Sequence, residues 1–171
     1  KLSLLPEYQF QLNGEEVLTV RAGASFDDAN RDDSELSALF DLTWERSRTN
    51  GGSDSIYLSY AESSQVAGYT AIGGGTPNVA DPTGNQPLYA SNPFLGREIS
   101  KNLDLGFSIK RSVWSFETAI FHRWDDNLAD WVFLDTRDTA RTATNVDIKT
   151  FGVELIGTKN FGQIEALISY T

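Results

Sequence analysis

Trp114-Ser115-Phe116-Glu117-Thr118-Ala119-Ile120-Phe121-His122-Arg123-Trp124 decides the fold. Successive side chains of an extended chain point to opposite faces, so residues two apart share a side. Trp114, Phe116, Thr118, Ile120 and Trp124 fall on one side, while Ser115, Glu117, Arg123 and Asp125 take most of the other. The segment is a ribbon with one apolar and one polar surface. Repeated along a chain with no helix between copies, it points to an all-β, closed antiparallel barrel whose wet face need not be the outer one.

Seven further segments obey the same parity. Leu2, Leu4, Tyr8, Phe10 and Leu12 oppose Ser3, Glu7, Gln9 and Gln11, with Pro6 marking that run as an edge or a locally irregular strand. Leu18, Val20, Ala22, Ala24 and Phe26 oppose Thr19, Arg21, Gly23 and Ser25. Leu36, Ala38, Phe40, Leu42 and Trp44 oppose Ser37, Asp41, Thr43 and Glu45, and Ile56, Leu58 and Tyr60 oppose Tyr57 and Ser59. Leu103, Leu105, Phe107 and Ile109 oppose Asn102, Asp104, Ser108 and Lys110. Phe151, Val153 and Leu155 oppose Thr150, Gly152 and Glu154, and Ile164, Ala166, Ile168 and Tyr170 oppose Glu165 and Ser169. Eight strands are therefore expected.

The connections sort by length. Those at residues 13–16, 48–54, 111–113 and 159–162 fall at one end, and Asn13-Gly14 reads as a tight hairpin turn. Those at 27–33, 65–99 and 135–144 fall at the other, and between Gln65 and Glu98 the alternation disappears. Short turns at one end and long loops at the other are the signature of an outer-membrane barrel, periplasmic and extracellular respectively. A loop as long as 65–99 is uncommon inside a compact domain and reads as functional or as a linker.

The bulk numbers narrow the classes. The chain has 171 residues and a net charge of -10, so no basic surface is available to neutralise nucleic-acid phosphates. No apolar run approaches the roughly 20 residues of a spanning helix. Without cysteine there is neither a disulfide framework nor a thiolate metal site. The chain opens at Lys1 directly in a strand pattern, and so reads as an internal piece or a processed product.

One stretch carries a family resemblance. Asn92-Pro93-Phe94-Leu95-Gly96-Arg97-Glu98-Ile99-Ser100-Lys101-Asn102-Leu103-Asp104-Leu105-Gly106 is similar to the recurring Asn-Pro-x-Leu-x-x-Glu-x-Ser-x-Asn-x-Glu-x-Gly stretch of TonB-dependent outer-membrane receptors, with Asp104 where an acid is usual. Ile56 to Ala61, Ala119 to Val132, Thr150 to Leu155 and Ile168 to Thr171 add matches in the family's order, so the resemblance covers about residues 22–171. It implies a 22-stranded barrel with a plugged lumen, of which residues 1–171 are a later segment. It further implies a Gram-negative-type outer membrane, contact with outer-membrane lipid and lipopolysaccharide, and a plug domain and TonB-type energy-coupling protein outside this segment. The implied ligand is a scarce small-molecule nutrient: an iron chelate such as a siderophore, a cobalamin or a glycan.

The chemistry-bearing residues are sparse. His122 is the sole histidine, so a two-histidine metal site cannot be assembled; near tryptophans it reads as an interfacial residue rather than as the base of a Ser-His-Asp triad, and neither catalysis nor a cofactor is expected. Gly73-Gly74-Gly75 lacks the Lys-Ser/Thr ending of a phosphate loop and reads as a mobile loop. Asp27, Asp28, Asp32 and Asp33, like Asp125, Asp126 and Asp130, lack the ordered spacing of a calcium loop and read as solvated acidic rims. Trp44, Trp114, Trp124 and Trp131 are expected near strand ends, at the membrane–water boundary. Tyr69, Tyr89, Phe94, Trp131 and Phe133 lie at the long-loop end and are the candidates for ligand contact. Asn92, Pro93, Glu98, Asn102 and Gly106 form the structural motif, with Asn92-Pro93 and Glu98 expected to fix the long loop's re-entry into the wall. Two other readings stay open here: a complete eight-stranded outer-membrane barrel for adhesion or anchoring, and a soluble β-sandwich binding module.

Overall fold

The computed structural model describes residues 1–49, 51–73, 89–136 and 141–171. Its elements are β1 (Leu2–Leu4), β2 (Glu7–Gln11), β3 (Glu16–Asp27), β4 (Glu35–Ser47), β5 (Ser53–Gln65), α1 (Tyr69–Ile72), β6 (Tyr89–Ala90), β7 (Glu98–Lys110), β8 (Trp114–Val132), β9 (Arg141–Asn160) and β10 (Glu165–Tyr170). All strands belong to one sheet in the order β1-β3-β4-β5-β7-β8-β9-β10, with β2 also on β3 and β6 on β9. Every pairing is antiparallel except the two-residue β6–β9 contact.

Among the described residues ten strands replace the expected eight for two local reasons. The first run splits at Leu5-Pro6 into β1 and β2, because proline has no N–H for the ladder. The stretch 65–99 is not wholly irregular: it contains α1 and β6. Among the described residues there is one sheet without a second layer, which removes the sandwich reading. Among the described residues the sheet stays open, with β1 and β2 along one edge and β10 along the other.

Cross-strand register joins the individual parities into two continuous faces. Phe10, Leu18, Trp44, Ile56, Phe107 and Thr118 belong to one of them, with Val20, Leu42, Leu58, Leu105, Ile120 and Val153 beside them. Arg21, Asp41, Ser59 and Asp104 belong to the other, as do Ala119 and Glu154. On the polar face Arg21 reaches Glu7 on β2 at 2.6 Å and Asp41 on β4 at 2.9 Å. The apolar face is uncovered: Phe151 is 69% and Ile168 74% exposed. No helix among the described residues is long and apolar enough to cross a membrane, which leaves crossing by strands untouched.

Charged side chains bound the apolar face at both ends. On β9 they are Lys149 and Lys159, with Phe151, Val153, Leu155 and Gly157 between them on the same face. Ten residues at a rise of about 3.3 Å and a tilt of about 45° span about 23 Å, close to the roughly 25 Å apolar band of outer-membrane barrels. On β5 the bounding acids are Asp54 and Glu62, so Ile56, Leu58 and Tyr60 alone lie inside the band.

The two ends of the sheet differ as their connections predict. At the short-turn end Asn13 Oδ1 accepts the Glu15 and Glu16 N–H groups at 2.9 and 3.0 Å. Gly51 (φ 78°) and Gly162 (φ 92°) supply left-handed turn positions. Neighbouring turns are tied together by Ser47 N–H to Glu15 O and by Asn160 N–H to Val113 O, both at 2.8 Å. Asp54, just outside the band, is gripped by Arg48 and Arg111; hydrogen bonds from the two guanidiniums hold its carboxyl below the usual range. At the other end β8 and β9 run 19 and 20 residues, well past the 9–11 needed to span a bilayer. The expected loop 135–144 therefore shortens, with β9 already begun at Arg141.

Candidate functional site

The long-loop end is built on a bulge in β8. Asp125 pairs with Ile148 but Leu128 pairs with Val146, so β8 spends one residue more than β9 there. Asn127 takes the left-handed conformation, φ 58°, which asparagine tolerates better than most residues. The extra residue reverses the parity of β8. Beyond the bulge Ala129 and Trp131 carry on the face of Trp124, opposite Asn145 and Ala143. Side chains hold the bulge from both flanks. Asp147 Oδ1 accepts the Asn127 N–H at 3.0 Å, the Asn145 amide donates to Asn127 Oδ1 at 3.0 Å, and Glu98 Oε1 accepts the Ala129 N–H at 3.1 Å.

The loop after β5 packs on the surface this bulge exposes. Ala67, Ala71, Leu95 and Ala143 form a small buried core, with Ile72, Ala129 and Trp131 against it. Tyr89 meets Trp131 edge-on, ring centroids 5.1 Å apart. Asn92 N–H bonds Ala71 O at 2.7 Å, and Asn92 Oδ1 accepts the Phe94 N–H at 2.9 Å, turning the chain after Asn92-Pro93. Arg31, in the preceding loop, donates to Pro93 O at 2.8 Å and Leu95 O at 2.7 Å. Arg97, buried, bonds Asp27 at 2.9 Å and Ser64 at 3.3 Å. Three chain segments thus converge on the Asn92–Glu98 stretch.

The ligand-contact candidates divide accordingly. Tyr89 and Trp131 are brought together, but as part of the loop's own packing. Phe94 is 91% exposed at the turn and Tyr69 is exposed on α1. Phe133 is exposed and lies 5.4 Å from the Arg141 guanidinium. Trp131 lies beyond the bulge under the loop core rather than at the edge of the apolar band. Trp124 is not near a strand end but mid-way along β8, ten residues from Trp114, which is one membrane span along the strand. Trp114 opens β8 opposite Lys159, and Trp44 lies three residues from the end of β4 opposite Ile56. His122 is likewise mid-strand on the apolar face, with its ring 3.9 Å from that of Trp124.

Within the motif, Glu98 bonds Gln65 as well as Ala129, joining β5, β7 and the bulge. Glu98→Ala is expected to cost about 1–3 kcal/mol, the penalty for orphaning a partly buried backbone donor. It should speed proteolysis of the loops at this end of the intact protein; unchanged cleavage would show that the bulge holds without it. Asn102 and Gly106 face the polar side. Gly106 lies beneath the Tyr57 ring and Gly152 beneath Phe121, each the cross-strand partner of the ring that covers it. These pairs border two hollows on the polar face. One is lined by Tyr57, Ser108, Glu117 and Glu154, and one by Asn102, Asp104, Phe121 and Arg123.

The acidic groups are spread across both faces. Asp125 bonds Arg123 and Ser100, whereas Asp126 meets Lys101 on the opposite side at 3.2 Å. Asp27 is occupied by Arg97 and Asp32 lies 3.5 Å from Arg31. Gly74 and Gly75 lie outside the described residues, as do residues 76–88 of the long loop and 137–140 of the next. The bulge and the Arg97–Asp27 pair were not read from the sequence. The bulge's signal was present, since the alternation fails at Asp125-Asp126-Asn127. No local pattern marks an ion pair between residues 70 apart.

Comparison with known proteins adds one match. The family model described as TonB dependent receptor-like, beta-barrel, matches residues 6–171. No curated protein and no solved structure matches the chain at a significant level.

Proposed function

This chain belongs to the TonB-dependent receptor β-barrel family, and on that premise we propose that it forms wall and surface loops of a receptor for energy-coupled nutrient uptake. The family is one of outer-membrane receptors and transporters. The observation that carries the finer reading is the pair of continuous faces: an apolar band about one bilayer tall and a polar face opposite it. In the proposed barrel the apolar face meets lipid and the polar face lines the lumen. The open edges β2 and β10 pair with further strands, because unpaired backbone groups are not left in hydrocarbon. The loop end, with Phe94, Tyr69 and Phe133 exposed above the Tyr89–Trp131 pair, faces outward and meets the ligand.

The ligand is a scarce nutrient of the iron-chelate, cobalamin or glycan class. A plug domain and a TonB-type energy-coupling protein, both outside this segment, release it inward in a Gram-negative-type envelope. The test uses cells carrying the full receptor and measures uptake of a labelled ferric siderophore, cobalamin and an oligosaccharide, with energy coupling intact or abolished. One of the three is expected to enter only when coupling is intact. Entry of none, or entry indifferent to coupling, would overturn the transport reading.

A further inference from the structure

The apolar face of the wall continues past the band at the long-loop end. β9 takes no extra residue, so Ala143 and Asn145 share the face of Lys149, Phe151 and Val153. On β8 the bulge brings Ala129 and Trp131 to that same face. Ala143 lies six residues beyond Lys149, which at the same strand tilt is roughly 14 Å above the band's charged edge. At that height water, not hydrocarbon, would meet these side chains if nothing covered them.

The connection between β5 and β7 covers them. Ala67, Ala71 and Leu95 close over Ala143, which is 0% exposed, and Tyr89 covers the Trp131 ring. At Tyr89–Ala90 the connection takes the edge of β9 away from β8, pairing with Arg141 and Thr142. Its described parts therefore lie against the lipid-side face of the β8–β9 extension, not on the face that carries Leu128, Asp130 and Thr144.

Ties from separate segments hold it there. The β4–β5 ladder ends at Leu39–Ala61, while β3–β4 pairing runs on to Asp27–Glu35, so the tip of the β3–β4 hairpin is released from β5. That tip binds the connection instead: Arg31 donates to Pro93 O and Leu95 O, and Asp27 accepts from Arg97. Glu98 fixes the return into β7 through the Ala129 N–H. Lifting the connection would uncover Ala143 and part Arg97, only 8% exposed, from Asp27 in one step.

We infer that the connection between β5 and β7 is a fixed buttress on the lipid-side face of the wall above the membrane, not a lid that closes over the mouth. Tyr69 and Phe94, both exposed on it, meet a ligand as a preformed surface, and the β3–β4 tip is held with them as one unit. This goes beyond the proposed transport function but rests on its assignment of the faces.

The first readout is placement, and it needs no ligand. Single cysteines at Ala143 and Phe94 of the intact receptor are treated with a water-soluble maleimide. Ala143→Cys is expected to react at least about tenfold more slowly than Phe94→Cys, because it is reached only when the buttress opens. Equal rates would overturn the buttress. The second readout is mobility. Ala90→Cys/Thr142→Cys puts thiols on Cα partners of the β6–β9 pair, and they are expected to join under copper-phenanthroline and part under reductant. Uptake of labelled ferric siderophore, cobalamin and oligosaccharide is expected to be the same in the joined and parted forms. Uptake lost on joining and regained on parting would contradict a fixed buttress, and thiols that never join would contradict its docking on β9. If no compound enters even the cysteine-free parent, the transport reading falls, while the maleimide rates and the joining of the thiols still decide the buttress.

Discussion

Arginine in place of Leu105 is expected to destabilise the membrane-embedded receptor by about 2–4 kcal/mol, the cost of a charge facing lipid at mid-depth in a barrel wall. Leu105 lies mid-band on the apolar face, between Leu58 and Ile120 on the adjacent strands. Ser59→Arg, one residue from Leu58 but on the polar face opposite Asp104, is expected to change stability by no more than about 0.5 kcal/mol. Equilibrium unfolding of the intact receptor in phospholipid vesicles would separate the two. Equal effects would remove the assignment of the faces.

Gly106→Val and Gly152→Val are expected to cost about 1–3 kcal/mol each through overpacking. A Cβ at Gly106 would overlap the Tyr57 ring, and one at Gly152 would overlap Phe121. Glycine weakens a strand, and an aromatic ring laid over it restores covered surface; each ring here is directly opposite its glycine. The loss should therefore depend on the ring. In a double-mutant cycle, Tyr57→Ala combined with Gly106→Val is expected to be less harmful than the sum of the single changes by at least about 0.5 kcal/mol. Strict additivity would show that Gly106 serves the backbone alone.

Much of the wall was legible because a half-exposed strand writes its faces into alternate residues. Leu103, Leu105, Phe107 and Ile109 needed no partner to be read, and their alternation set the register that joins β5, β7 and β8. The upper part of β8 was not legible in that way. At Asn127 the bulge reverses the parity, so strict alternation continued past Trp124 would put Val132 on the wrong face. What stabilises the bulge comes from Glu98, Asn145 and Asp147, none of them sequence neighbours.

The site was legible only in outline. Tyr89 and Trp131 could be placed at the loop end, but their edge-on contact depends on β6 docking against β9. Arg31 and Arg97, which pin the Asn92–Glu98 stretch, carry no local signature because their partners lie in other segments. Asn92 and Glu98 were singled out by family resemblance; their bonds to Phe94, Gln65 and Ala129 give that motif a physical content.

The alternation itself offers the most direct test of the central claim. The chain has no cysteine, so a thiol introduced here is unique within this segment. Spin labels placed one at a time from residue 102 to 109 of β7 in the vesicle-embedded receptor would report collisions with oxygen, which concentrates in lipid, and with a water-soluble nickel chelate. The account predicts a period of two, with Leu103, Leu105, Phe107 and Ile109 oxygen-accessible and Asn102, Asp104, Gly106 and Ser108 shielded from lipid. Uniform access to the nickel reagent along β7, with no alternation, would contradict it.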